Sequence, residues 1–486
     1  MSKCRTFKRS SQTLGWYQPN HFLIVLGSAT PFLLIDAKDN VYSDQRKYLA
    51  VYLHEYWHYL QNVTTIAGFL TFLHSQIQIS LFGKTIELNA NGKVRSKGSD
   101  ALSLDELTRL RSVLDLDYAL QGEIEPQSKF PNKTVDGWII KNLTKKERKI
   151  DWGQKQITRH HLELDVSIQY SDSTSDPSAR ISIGSAAIEE SLAYLTERQL
   201  AQKDTSLHLE NSPQFPYTVL EHLFDFLVGI KDEPLYLISA LGTLSLMTND
   251  PAAALFEILT FYKDLRGRRL HPMSALNVIL SKFGPIIHRE IDSVLAEHLP
   301  SLQAMHAGRG LLESGTNTLV SIFKTAFNLR KEYILFDLDF AVHSTVARAV
   351  QSINELIHSI LPCDVLQERS GSEHEVMRDF LGTSQLTAGK NGLSVSDGMR
   401  ALQSQQHFMI QHLAPSGFLP TNQAFASPDS RCPYYTACDA RYRMQSPKIC
   451  DQAPWENYTT GPSEACWYGF GVGAHAGLIQ VGRKSS

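Results

Sequence analysis

His54 and His58 lie four residues apart and enclose a carboxylate in the run His54-Glu55-Tyr56-Trp57-His58. On a helix, residues so spaced sit about 40° apart and one turn along, so both imidazoles can reach one ion. Glu55, one step round, can take the proton of a water in the ion's open position as that water attacks a polarised carbonyl. The pattern points to a zinc-dependent hydrolase.

The pattern must sit on a helix to work. From an Asp44 N-cap, apolar residues recur at Leu49, Leu53, Tyr56, Leu60, Val63, Ala67 and Leu70, in alternating steps of four and three. That rhythm predicts one long amphipathic helix. Ala50, His54, His58, Gln61 and Thr65 share one line along it, among Leu, Val, Tyr, Trp, Ile and Phe. Polar groups in such company need partners, since each left unpaired costs roughly 1–3 kcal/mol. A metal or a hydrogen-bond network is implied, with Gln61 supporting the histidines.

A site of this type needs a third protein ligand and one open position. Residues 62–66 carry no further histidine, so the ligand must be distant. The segment Ile188-Glu189-Glu190-Ser191-Leu192-Ala193-Tyr194-Leu195-Thr196-Glu197 offers Glu189 and Glu190 as candidate ligands on a later helix. Here the chain resembles the gluzincin zinc metallopeptidases, whose third ligand is a Glu on a second helix, often followed by Ala, an aromatic and another acid. The resemblance implies a zincin-like core, a catalytic Zn2+ held by His54, His58 and Glu190, and Glu55 as general base; Glu189 is the competing ligand. It covers residues 44–80 and 181–200 and departs from the family in the long separation of His58 from Glu190. The resemblance implies that the strand before Gly184 corresponds to the edge strand with which such peptidases hold an extended substrate. The run His54-Glu55-Tyr56-x-His58-x-x-Gln61 also resembles a pattern in uncharacterised bacterial proteins. Tyr217, His222 and Tyr262 are candidates for the oxyanion donor, each with packing as its plainer role.

The remaining pattern predicts an α+β, predominantly helical fold. Short strands are expected at 21–26 and 32–35, a hairpin over 84–94 turning at Asn91-Gly92, and a helix over 104–120. Alternation at Leu162, Leu164, Val166, Ile168 and Tyr170 predicts a half-buried strand, followed by a polar turn over 171–178 and a second strand through Ile181 and Ile183. The charged run 145–149 reads as a solvated turn or helix face, and His160-His161 as the surface start of a strand. From 217 to 361 nearly everything reads as helix, broken at 232–234, 249–251, 267–272 and 308–310; helices follow at 373–381 and 395–413. Four units result: 1–83 with the metal-binding helix, 84–180 a β-rich insertion, 181–413 helical, and 414–486 a cysteine-rich module.

In that module Cys432, Cys438, Cys450 and Cys466 could close a second, structural zinc site, although no Cys-x-x-Cys pair is present. Six cysteines in 486 residues are too few for a disulfide scaffold and fit a reducing cytoplasm. The net charge of -3 provides no drive toward nucleic acid or anionic membrane. No secretory leader is expected from the N-terminal residues, and the apolar stretch 235–247 is too short to cross a bilayer and reads as a buried helix. The expected partner is a peptide or protein substrate. The rivals are a zinc-containing scaffold protein without catalysis and a redox protein built on the C-terminal cysteines.

Overall fold

The computed structural model describes residues 15–18, 21–26, 49–123, 135–170, 178–203, 214–230, 233–338, 352, 355–356, 361, 363–367, 376–378, 395–424, 430–435, 447–457 and 466–475. Within these the fold is predominantly helical with small sheets. Strands β1 (Gly15–Gln18) and β2 (Leu23–Leu26) precede helices α1 (Leu49–Thr64) and α2 (Ile66–Phe82). The hairpin β3 (Ile86–Leu88) and β4 (Val94–Ser96) turns through Gly92, and α3 (Leu104–Gln121) follows with a Ser103/Glu106 capping box. Next come β5 (Val135–Trp152), β6 (Lys155–Tyr170), β7 (Ser178–Ile183) and α4 (Ser185–Lys203).

The helical layer runs through α5 (Gln214–Tyr217), α6 (Val219–Val228), α7 (Leu235–Leu246), α8 (Pro251–Gly267), α9 (Pro272–Ser293), α10 (Leu299–His306) and α11 (Leu311–Glu332). Most of its breaks fall where proline and glycine place them; additional ones lie at Thr218 and at the π-helical turn Val294–His298. Strands β8 (Asp364–Gln367) and β9 (Val376–Arg378), then α12 (Val395–His412) and α13 (Trp467–His475), complete the described elements that matter here. As expected, the stretch from Leu235 forms a buried helix.

The single long helix expected past Leu70 is two helices. Thr65 is extended (φ -112, ψ 153); its hydroxyl donates to the Gln61 carbonyl at 2.7 Å and accepts from the Gly68 N–H, so it caps α2. A Cβ on Gly68 would come within 2.5 Å of the Asn62 carbonyl oxygen, and only glycine permits so tight a join. Apolar spacing runs straight across the break because nearly every position of α2 is buried, so its apolar residues continue the pattern of α1 whatever the turn between them. Asp44, the expected cap, lies outside the described residues, as does the strand expected at 32–35.

Arg330 of α11, fully buried, closes the end of α1. Its Nη2 donates to Thr64 Oγ1 at 2.8 Å and its Nε to the Thr64 carbonyl at 3.3 Å, while both Nη groups pair with the Asp337 carboxylate at 2.6 and 2.8 Å. Asp337→Asn leaves that guanidinium without its charge partner and is expected to lower unfolding free energy by about 3–5 kcal/mol in urea titration. A loss below about 1 kcal/mol would contradict this role.

The sheets correct three expectations. Residues 145–149 belong to β5 and pair with β6 from Lys145↔Leu162 to Lys149↔Thr158, where cross-strand pairing overrides a charge pattern with no local β signature. His160 lies inside β6, and its Nδ1 meets Asp250, the N-cap of α8, at 2.7 Å. Val376–Arg378, expected within a helix, is a strand because its backbone pairs with β8, which lies parallel to β2. The polar turn before β7 falls at 171–177, outside the described residues.

Two cores result. The larger joins α1, α4 and α7 to α11 with β2, β6 and β7. The smaller gathers Ile77 and Phe82 of α2, Phe408 of α12, and Cys432, Tyr434, Trp455, Cys466 and Tyr468, so the aromatic side chains of the cysteine-bearing segment pack on α2 and α12. The stretch Ile66–Thr85 is long and apolar enough to cross a bilayer, with mean hydropathy 1.2 over its most apolar 18 residues, but 78% of those are buried in the fold.

Candidate metal centre

Helices α1 and α4 pack face to face, with Leu53, Leu60, Ile188, Leu192 and Leu195 in the shared core. Gly184 sets the start of α4: a Cβ there would lie 2.5 Å from the Gly122 nitrogen, so the two chain segments approach as only glycines allow. Burying the apolar side of α4 turns Glu190 toward α1.

The result is one convergent group. His54 Nε2 and His58 Nε2 are 3.1 Å apart, and Glu190 Oε2 lies 3.2 Å from His58 Nε2 and 3.7 Å from His54 Nε2. Among the described residues this is the one set of three ligating side chains whose donor atoms lie within 4.8 Å of one another. A tetrahedral ion bound at about 2.0–2.1 Å separates its donors by roughly 3.3 Å, so the triangle has the size a metal requires.

The opposite ring nitrogens explain why the lone pairs converge. His54 Nδ1 donates to Glu197 Oε2 at 3.2 Å, and His58 Nδ1 donates to Gln61 Oε1 at 3.1 Å; a carboxylate and an amide oxygen can only accept. Nδ1 of each ring is thus taken up by its acceptor, which leaves both Nε2 atoms facing each other and a carboxylate, where either a proton on His54 or a metal ion can sit between them. Gln61 Nε2 donates to the Glu189 carbonyl at 2.9 Å, which fixes the orientation of its amide and ties α1 to α4. Glu189 thus supplies a backbone oxygen to this network, and Glu190 supplies the carboxylate of the triangle.

Charge follows geometry. Burial pulls the His54 pKa down, but hydrogen bonds to Glu190 and Glu197 and the charge of Glu55 outweigh it and raise the value to about 10. Burial also acts upward on Glu190, where His58 and His54 prevail and hold it well below the usual carboxylate range. A protonated His54 therefore holds the group together without metal, and an entering metal must displace that proton. Burial raises Glu55 despite the nearby imidazoles, and the Tyr17 backbone in β1 hydrogen-bonds its carboxylate.

Of the three oxyanion-donor candidates, Tyr217 is in ring contact with His54, centroids 5.9 Å apart. His222 lies against Trp138 at 4.1 Å, and Tyr262 is buried in the helical layer beside Phe224 at 5.7 Å. The edge of β7 is occupied at its α4 end, where Gly122 bridges Ile183 and Glu123 N–H donates to the Ser182 carbonyl at 2.8 Å. β7 is the edge strand of its three-stranded sheet, and this covering is confined to Ser182 and Ile183.

Cys432, Cys450 and Cys466 are buried; Cys432 N–H donates to the Cys450 carbonyl at 2.9 Å, and Asn457 Nδ2 donates to Cys450 Sγ at 3.1 Å. These three do not form a ligand group like the one at His54, and Cys438 lies outside the described residues. The resemblance placed Ala193 and Glu197 at the family's offsets, but sequence reasoning gave Glu197 no role, and the structure sets its carboxylate behind His54. Its signal was its place seven residues, two helical turns, beyond Glu190. Comparisons of the chain with protein-family models, with curated proteins and with solved structures gave no match.

Proposed function

We propose that this protein is a zinc-dependent hydrolase that cleaves peptide bonds, with His54, His58 and Glu190 as metal ligands and Glu55 as general base. One observation carries the reading: two imidazole Nε2 atoms and a carboxylate oxygen meet at one point while both Nδ1 atoms are held by acceptors behind them. Two nitrogens and one oxygen form a donor set that suits zinc, which would take a water as its fourth ligand. The ligand types and their order are those of gluzincin peptidases, and a zincin-like arrangement is read for the α1–α4 pair alone.

A bound zinc would supply Lewis acidity, polarising the scissile carbonyl and easing the loss of a proton from water. Glu55, deprotonated, accepts that proton as the water oxygen bonds to the carbonyl carbon. It then passes the proton to the leaving nitrogen as the C–N bond breaks, so atoms and charge balance over the turnover. Glu197 and Gln61 keep the two imidazoles in the tautomer that points Nε2 at the ion.

Elemental analysis of the purified protein tests the site. One zinc per chain is expected for this centre, lost in His58→Ala and Glu190→Ala and retained in Glu189→Ala; a second equivalent would place another ion at the C-terminal cysteines. Zinc affinity should rise with pH below about 10, as the proton on His54 becomes easier to displace. Full zinc occupancy in Glu190→Ala would overturn the ligand assignment.

A further inference from the structure

Helix α4 is buried along most of its surface, but the side chains of Glu190, Tyr194 and Arg198 stay partly open to solvent, while residues 191–193 and 195–197 are buried. Four-residue spacing places the three on one line, beginning at the metal triangle. Tyr217 faces this line: its ring is 5.9 Å from His54 and 5.5 Å from Tyr194. The Tyr217 segment is anchored to α4, since Ser191 Oγ donates to the Tyr217 carbonyl at 2.9 Å and accepts from Leu220 N–H at 3.1 Å.

At the far end the Arg198 guanidinium carbon lies 5.6 Å from the centre of the Tyr194 ring, and Nη1 donates to Glu221 Oε2 at 2.6 Å. That one bond orients the planar group. Its other N–H donors have no acceptor among the described residues, and a guanidinium offers five in a fork matched to a carboxylate.

We propose that this stripe is the substrate wall of the hydrolase and that Arg198 binds a substrate carboxylate. The inference rests on the peptidase reading above. Eight residues of helix rise about 12 Å from Glu190 to Arg198, and an extended peptide advances about 3.3 Å per residue. The carboxylate therefore lies roughly three to four residues from the cleaved bond, with the Tyr194 and Tyr217 rings flanking the intervening side chains. The substrate class is an oligopeptide with a free C-terminus or an acidic residue at that distance; both present the same group.

Binding can be measured apart from cleavage, by calorimetry on the zinc-loaded Glu55→Gln protein. The probes are N-acetylated alanine hexapeptides containing one tyrosine, made as the C-terminal acid, as the C-terminal amide, and as the amide with one internal glutamate. The acid or the glutamate peptide is expected to bind about 10- to 100-fold tighter than the plain amide, and which of the two does so identifies the source of the carboxylate. Adding Arg198→Gln should abolish the preference, and Arg198→Lys should keep part of it, with zinc content unchanged in both. Equal binding of all three peptides, no binding of any, or a preference that survives Arg198→Gln overturns the assignment. Wild-type protein that prefers the carboxylate peptides but cleaves none leaves Arg198 standing and sinks the peptidase reading; cleavage without preference does the reverse.

Discussion

Glu55→Gln is expected to lower kcat/KM for peptide hydrolysis by about 10²- to 10⁴-fold while leaving one zinc per chain, because it removes a general base without touching a ligand. The substitution keeps size and hydrogen-bonding capacity but abolishes the ability to accept a proton. Glu55 is 7% exposed and lies outside the ligand triangle, so the metal should stay. Burial raises its pKa above the ordinary carboxylate value, against the opposing charges of His54 and His58. Catalysis needs the deprotonated form, so activity should fall as pH drops through that raised value, and this acidic limb should vanish in the variant's residual rate. Paired measurements of zinc content and rate decide the matter. Unchanged hydrolysis with zinc in place would remove Glu55 from the mechanism.

The second large effect is acid instability of the smaller core. His306 Nε2 donates to Gln76 Oε1 at 3.1 Å, and His412 Nδ1 donates to the Phe408 carbonyl at 2.8 Å while its Nε2 accepts from Thr421 Oγ1 at 3.0 Å. His475 accepts from the Gln405 amide and packs beside Gly83, where a Cβ would come within 2.8 Å of its Nε2. Burial lowers the pKa of His306 and His412 to about 4 and of His475 to about 3, with Arg309 adding to the effect at His306 and His475.

The sign follows from linkage. Above pH 6.5 these rings are neutral in both folded and unfolded chains, and their contribution is constant. Below it the unfolded chain takes up protons that the folded chain refuses, so stability falls by about 1.4 kcal/mol per pH unit for each histidine until the folded values are reached. At pH 5 that is roughly 2 kcal/mol apiece, a large part of the usual stability of a domain. In the metal-free chain His54 works in the opposite sense: its raised value gives stability complete below 6.5 and lost as pH rises through about 10, so it adds nothing to the slope between 6.5 and 5. Urea midpoints of metal-free protein should therefore drop between pH 7 and 5, and His306→Gln, which keeps a donor for Gln76, should flatten that drop by one histidine's share, about 2 kcal/mol at pH 5. A midpoint independent of pH over this range would rule out the neutral buried histidines.

Much of the local structure could be read directly from residue order. The His54–His58 pair, the hairpin at Asn91-Gly92, the alternation of β6 and the start of α4 after Gly184 all depend on neighbours within one or two turns. Their geometry follows from helix and strand periods alone. Thr65 shows where such reading stops. Its extended backbone is held by the Gly68 contact and by Arg330, 266 residues away from Thr64, and apolar spacing carries no record of either. Strand β9 and the charged half of β5 fail for the same reason, since their partners are other strands.

The sequence by itself determined that two imidazoles and a carboxylate share a turn of an amphipathic helix, because that geometry needs only four consecutive steps of a fixed period. Only the tertiary structure decided that Glu190 is the carboxylate that meets them, that Glu197 and Gln61 hold the rings from behind, and that Arg198 ends a partly open stripe leading from the ligand triangle. Those relations come from burying the apolar faces of α1 and α4 against each other, and which side chains then face across the seam depends on packing between segments distant in the chain.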